Sequence, residues 1–360
     1  MRINNKLFSL RSVFIFLLLF FAAQSVFTQG GKIVSEKIHS PSLEKTATGE
    51  SPDRDVAVYL PPNYDASPAK RYPVVYLLHG IGDTHETWLD DGGEDWSNIK
   101  SVMDKGIGEG RFRAMIIVMP DERTKWFGSF YVNSAATGNW EDFTVKDLVN
   151  FVDRKYRTLA NPSSRGIAGH SMGGYGAITL ATKHPEVYSV VYGMNPGLIG
   201  WGGDLTIDTP AFKSVLAAKT LDEILQGGAL MAGTLTVAQA FSPNPNKPPF
   251  YADFPFAMIN GKVQPNEPAY GKWMENFPVN MVGKYKSNLL KLKGLRFDSG
   301  YDDEYRFIPI NSRALSLVLT SHGINHVFEE YNGDHRNRMW GRTGRLSTEV
   351  LPYFETLLEH

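Results

Sequence analysis

Gly169-His170-Ser171-Met172-Gly173-Gly174 decides how the rest of the 360-residue chain is read. The stretch follows a short apolar run, Gly166-Ile167-Ala168, and leads into a helix-like segment from Tyr175 to Lys183. A G-x-S-x-G pattern between strand and helix has the form of a sharp turn that presents its serine, because only residues without bulky side chains fit two places before and after it. Gly169 and Gly173 fill those places. The start of the following helix offers unpaired N–H groups and the positive end of a dipole, which favour an oxyanion. Ser171 is therefore the candidate nucleophile and the Met172 N–H a candidate oxyanion donor. A pattern this short also arises as a packing turn with no chemistry, so its company in the chain must discriminate.

Upstream, Tyr72-Pro73-Val74-Val75-Tyr76-Leu77-Leu78-His79-Gly80 is a continuous apolar run bounded by turn residues, the form of a strand buried on both faces. Ala114 to Met119, closing at Pro120-Asp121, is another. Ile33 to Ile38 and Val56 to Leu60 also read as strands, with a polar break at Ser51 to Asp55 between them. Helices are expected near Ser97 to Lys105 and over Trp140 to Tyr156, where Phe143, Val145, Leu148, Val149, Phe151 and Val152 recur at near-helical spacing. Downstream, Tyr188 to Met194, Leu295 to Asp298 and His326 to Tyr331 read as strands, and Ile308 to His322 and Leu346 to Leu358 as helices. Strands alternating with helices predict an α/β fold, with a mainly parallel central sheet and helices on both faces.

One stretch breaks the alternation. Gly197 to Leu292, rich in proline and aromatic residues, far exceeds the about 12–15 residues beyond which plain connections become uncommon. Residues 197–292 are read as an insertion before the strand at Leu295, either a lid over the site or a structural excursion.

The 37 Lys and Arg balance 38 Asp and Glu, a net charge of -1, which gives no electrostatic argument for nucleic acid or an anionic membrane surface. Lys6 and Arg11 precede an apolar run from Val13 to Ala23, the length of a secretory h-region and shorter than the roughly 20 residues of a membrane span. Ala23-Gln24-Ser25 offers a cleavage site. Residues 1–25 are accordingly expected to be a signal peptide, leaving 26–360 as one catalytic domain that is secreted or periplasmic, with no lasting membrane insertion. The chain has no cysteine, which excludes disulfides, a thiol nucleophile and thiolate metal sites. No cofactor or metal is called for, and no feature of the chain specifies an oligomeric state.

A serine hydroxyl needs a base, and the base needs an orienting carboxylate. In an α/β-hydrolase sheet these follow the serine as acid, then histidine, on loops after later strands. His184 and His322 end helices and His326 begins a strand, whereas His335 lies in the loop Asn332-Gly333-Asp334-His335-Arg336 after the last strand. The acid has several candidates in one loop: Asp298, Asp302, Asp303 and Glu304. A solvated acidic turn or a calcium site is the bland alternative for that cluster, although its spacing does not match an EF-hand loop. A second oxyanion donor is expected after His79-Gly80, where the Ile81 N–H is the natural choice and His79 itself is read as structural.

Several of these stretches together resemble the putative-esterase branch of the α/β-hydrolases, which includes feruloyl and acetylxylan esterases, S-formylglutathione hydrolase (esterase D) and mycolyltransferases. The resemblance rests on Val58-Tyr59-Leu60-Pro61-Pro62, Tyr76 to Gly80, Val118 to Asp121, Gly169 to Gly176, Gly300-Tyr301-Asp302-Asp303, and Gly333-Asp334-His335 with Trp340 beyond it. It spans roughly residues 50 to 355 apart from the insertion. It implies an α/β-hydrolase fold and a serine esterase, with the acid three residues after the glycine of a G-x-x-D turn, at Asp303. Where the family often has an aromatic two residues after the histidine, this chain has Asn337 between Arg336 and Arg338. Arg336 and Arg338 are read either as surface charges or as contacts for an anionic sugar such as a uronate, Arg338 foremost, and Trp126, Tyr131 and Trp340 are candidate aromatic contacts for a sugar or feruloyl ring. Core packing accounts equally well for Trp126 and Tyr131.

These readings converge on an exported carboxylesterase that cleaves acetyl or feruloyl esters on carbohydrate, using Ser171, His335 and Asp303. The alternatives are a periplasmic siderophore-ester hydrolase, an acyltransferase, a serine peptidase, or a carbohydrate-binding protein without catalysis. The signal segment disfavours S-formylglutathione hydrolysis.

Overall fold

The computed structural model describes residues 30–90 and 95–360, so the expected signal peptide lies outside the described residues. Among those residues no helix is long and apolar enough to cross a membrane. Eight strands form the central sheet: β1 (Lys32–His39), β2 (Asp53–Leu60), β3 (Val74–Leu78), β4 (Ile116–Pro120), β5 (Arg165–His170), β6 (Val190–Met194), β7 (Gly294–Gly300) and β8 (Val327–Tyr331). Their order is β1-β2-β4-β3-β5-β6-β7-β8. Only β2 runs against its neighbours; the other pairs are parallel. This is an α/β-hydrolase sheet.

The apolar runs become central strands because helices cover both faces. Every residue of β3, β4, β5 and β6 is buried. Side chains alternate between the two faces. Val74, Tyr76 and Leu78 join one core with α2 (residues 140–155) and α3 (Met172–Lys183). Val75 and Leu77 join the other, under α1 (Ile99–Gly108) and the closing helix at residues 346–357. Both α2 and that closing helix contain a wide π-type turn, at Phe143–Leu148 and Leu346–Val350, which apolar spacing alone does not reveal.

The insertion is a structured body. It contains helices Pro210–Ala217, Leu221–Gln226, α4 (Ala229–Phe241), Ala269–Asn276 and Pro278–Lys284, and a hairpin of Phe256–Ile259 with Lys262–Pro265. Its aromatics gather around Trp201, which stacks on Phe212 with ring centroids 5.6 Å apart. Leu198, Phe212, Val237 and Trp273 belong to the same core as β3 and α3. Hydrogen bonds from Thr236 Oγ1 to the Trp126 carbonyl and from Ser134 Oγ to the Gln239 carbonyl tie α4 to the loop after β4.

Sheet order places the site. From β3 the chain moves outward to β4, and from β5 it moves the other way to β6, so the crevice at their carboxyl ends is the switch point where such sheets bind ligands. His79-Gly80-Ile81 leaves β3 on one side of it, and Ser171 leaves β5 on the other.

Candidate active site

Ser171 has φ 56° and ψ -116°, a conformation that costs a non-glycine residue about 1–3 kcal/mol and persists only when the surroundings impose it. They do so through backbone hydrogen bonds. The Ser171 N–H donates to the Met194 carbonyl at 3.0 Å, and its own carbonyl accepts from the N–H groups of Gly197 at 2.9 Å and Tyr175 at 3.0 Å. The motif glycines allow the close approach. A Cβ on Gly169 would lie 2.3 Å from the Gly173 carbonyl carbon, and one on Gly173 would lie 2.2 Å from the Leu78 carbonyl oxygen.

Among the described residues, the Ile81 and Met172 N–H groups make no hydrogen bond, so both are free to meet an oxyanion. The Ile81 loop is braced from behind. His79 is fully buried; its Nε2 accepts from the Glu122 N–H at 2.9 Å, so its proton sits on Nδ1 and is donated to the Gly80 carbonyl at 2.8 Å. Burial keeps this ring neutral by pushing its pKa down, against the pull of the Gly80 carbonyl and of Asp121 and Asp83. Tyr131 OH donates to the His79 carbonyl at 2.8 Å.

Glu122 lies in the same layer, fully buried, and burial raises its pKa well above the carboxylate range. Thr144 Oγ1 lies 2.6 Å from Glu122 Oε1 and 2.8 Å from the Trp140 carbonyl. One hydroxyl proton cannot serve both acceptors, and a protonated Glu122 donating to Thr144 resolves the conflict.

Asp303 is fully buried and pairs with His335: Nδ1 donates to Oδ2 at 2.8 Å, while Oδ1 accepts the Tyr305 N–H at 2.8 Å. That pairing leaves Nε2 as the acceptor nitrogen, on a residue that lines the same cavity as Ser171. Among the described residues Ser171 Oγ makes no hydrogen bond to His335. Asp298 is committed elsewhere, accepting from Arg345 Nε and Tyr192 OH at 2.7 Å each and from the Asn195 N–H at 3.2 Å. Asp302 is exposed, and Glu304 Oε2 accepts the His335 N–H at 3.3 Å.

Two supporting residues escaped the sequence reading. His170 Nε2–H donates to the His335 carbonyl at 2.7 Å, its ring held neutral because burial drives its pKa well down. Asn195, directly after β6, donates from Nδ2 to that same carbonyl at 3.1 Å and to Tyr331 OH at 2.7 Å, while its Oδ1 accepts the Gly300 N–H at 2.6 Å. The available signal was position: one lies inside the motif and the other at the carboxyl end of the next strand.

Ser171, Ile81, Met172 and His335 line one cavity of 180 Å³, whose remaining wall is mostly apolar and comes largely from the insertion. Of the candidate substrate contacts, Arg336 lines this cavity, whereas Trp126, Tyr131, Trp340 and Arg338 lie outside its lining. Tyr131 is buried in the core against α3, where a Cβ on Gly176 would meet its ring at 2.3 Å. Trp126 is held by its backbone to Thr236, and Trp340 packs edge-on against Trp88 at 6.1 Å. Arg338 is exposed, whereas Arg336 reaches the cavity and pairs with Asp83 at 3.3 Å. A wider hollow of 960 Å³ around Lys70, Arg111 and His360 contains none of these groups.

The sequence profile of the family described as "Putative esterase" matches residues 50–343. An esterase of Mycobacterium tuberculosis is 32% identical over 161 residues, covering 43% of this chain and 32% of the relative. An endo-1,4-beta-xylanase/feruloyl esterase of Xylanibacter ruminicola is 29% identical over 134 residues, covering 36% of this chain and 18% of the relative. The matched stretches thus span a third or less of these relatives' lengths. A solved ferulic acid esterase superposes with a TM-score of 0.62 at 22% identity, covering 91% of this chain and 99% of its own, a likeness of fold. With the family profile covering the elbow, the Asp303 turn and the His335 loop in one continuous match, the chain belongs to the putative-esterase family.

Proposed function

We propose that the protein is a serine carboxylesterase, exported from the cell, that cleaves acyl esters on carbohydrate. The observation that carries the reading is the buried Asp303–His335 pair facing a cavity shared with a serine on a strained turn. Ser171 Oγ attacks the ester carbonyl as His335 Nε2 takes its proton. The Ile81 and Met172 N–H groups hold the oxyanion, and Asp303 stabilises the imidazolium. Collapse expels the alcohol, which leaves with the proton from His335, and water then cleaves the acyl-enzyme by the same route. The open Ser171–His335 contact fits a free enzyme whose catalytic hydrogen bonds tighten when substrate binds.

Three things support the outward-facing substrate: the signal-like N-terminus, a family relative named for xylanase and feruloyl esterase activity, and the near-zero net charge. Ser171→Ala should lower p-nitrophenyl ester hydrolysis by at least about 10³-fold. A fluorophosphonate should label the wild type stoichiometrically at Ser171. Retained activity in the alanine variant would overturn the reading. For export, mass spectrometry of the secreted or periplasmic fraction should find a chain beginning near Val26, and an intact Met1 would refute cleavage.

A further inference from the structure

The 180 Å³ cavity has an inner and an outer end. Phe130, Leu198, Phe212, Val237 and Trp273 are buried, whereas Leu230, Tyr305 and Arg336 are exposed. A polymeric alcohol cannot enter such a volume, so the ester's acyl group is the part that occupies the inner end. The polar groups there are already committed: Thr234 Oγ1 donates to the Leu230 carbonyl at 2.8 Å and Trp273 Nε1 to Ser242 Oγ at 2.9 Å. An apolar cavity of about 150 Å³ takes up benzene, which sets the scale of the guest.

Gly233 lines this cavity from the middle of α4. Unlike the motif glycines, it is not required by packing: a Cβ there would meet one atom within 4 Å, Ile81 Cδ1 at 4.0 Å. A glycine inside a helix is disfavoured, and neither a tight contact nor a positive φ explains this one. Its effect is to leave space beside the residue whose N–H faces the oxyanion.

We infer that Gly233 is a specificity-determining position: by omitting a side chain it keeps open a slot for an apolar acyl group the size of a phenyl ring or a six-carbon chain. The inference rests on the esterase reading above. It makes acetyl a poor fit, since a methyl group would leave most of the slot empty.

The test compares p-nitrophenyl hexanoate with p-nitrophenyl acetate. Wild type should show the higher kcat/KM on hexanoate. Gly233→Leu should lower the hexanoate-to-acetate ratio at least about tenfold, the range that a few methylenes command in an apolar pocket. Gly233→Ala should shift the ratio the same way by less, and it carries the comparison if the leucine variant melts below the wild type. An unchanged ratio in a folded variant overturns the slot. A second arm does not depend on turnover. In the Ser171→Ala protein, which should bind hexanoate ester without cleaving it, adding Gly233→Leu should weaken binding about tenfold, and equal binding overturns the proposal. Wild type cleaving neither ester would sink the esterase reading while leaving this binding arm to decide the slot.

Discussion

Asn195 is small for the number of chain segments it joins. Its side chain meets the His335 carbonyl, the Tyr331 hydroxyl and the Gly300 N–H, and its own N–H reaches Asp298. Asn195→Ala would leave the Gly300 N–H buried without its acceptor, at about 1–3 kcal/mol, and would loosen the loop that aims His335. We expect kcat to fall roughly tenfold or more with KM little changed, the mark of lost positioning rather than lost binding. Equal changes in KM would argue against that role. Asp303→Asn should cost roughly 10⁴-fold in kcat through the wrong His335 tautomer. Asp303 is also where residue-level reading reached its limit. Four acidic side chains lie between positions 298 and 304; the family resemblance singles out Asp303, and the fold supplies the reason, since Asp298 faces Arg345 while Asp303 faces His335.

At the scale of elements, the sheet was legible because strand burial is written locally. Runs such as Val74 to Leu78 and Val190 to Met194 are apolar throughout, and each becomes a strand buried throughout. The elbow was legible for a similar reason, its glycines being fixed by contacts between adjacent elements. Gly173→Ala should therefore destabilise the protein by about 3 kcal/mol, seen as a lowered melting temperature, since the added Cβ meets the β3 backbone rather than a movable side chain. The cavity wall was not legible. Phe212, Gly233 and Trp273 are far apart in the chain and meet only because the insertion folds back over α3, a long-range event that spacing does not encode. For the aromatics after β4 the sequence left ring contact and core packing equally open, and burial decides it for Tyr131. Tyr131 stands near the carboxyl end of the sheet but turns into the core.

For the whole molecule, burial of neutral titratable groups ties stability to pH. His79 and His170 have pKa values pushed down by burial from the ordinary about 6.5. Below that pH the unfolded chain takes up protons that the folded chain refuses, so stability present at neutral pH should be lost as pH falls. Glu122 acts in the reverse sense. Its pKa is raised, so its favourable contribution holds in acid and is lost as pH rises above the unfolded value of about 4.3. Arg54 and Asp121 act on it in opposite directions. Glu122→Gln should consequently raise the melting temperature at pH 8 more than at pH 5, and a uniform shift would refute the assignment of a protonated acid. The backbone of Ser171 also sets activity against durability. Glycine accepts φ 56°, ψ -116° without the penalty that serine or alanine bears, so Ser171→Gly should melt several degrees above Ser171→Ala and above the wild type while cleaving nothing. A search for heat-resistant variants that ignored turnover would drift toward glycine at this position, trading the enzyme's competence for its endurance.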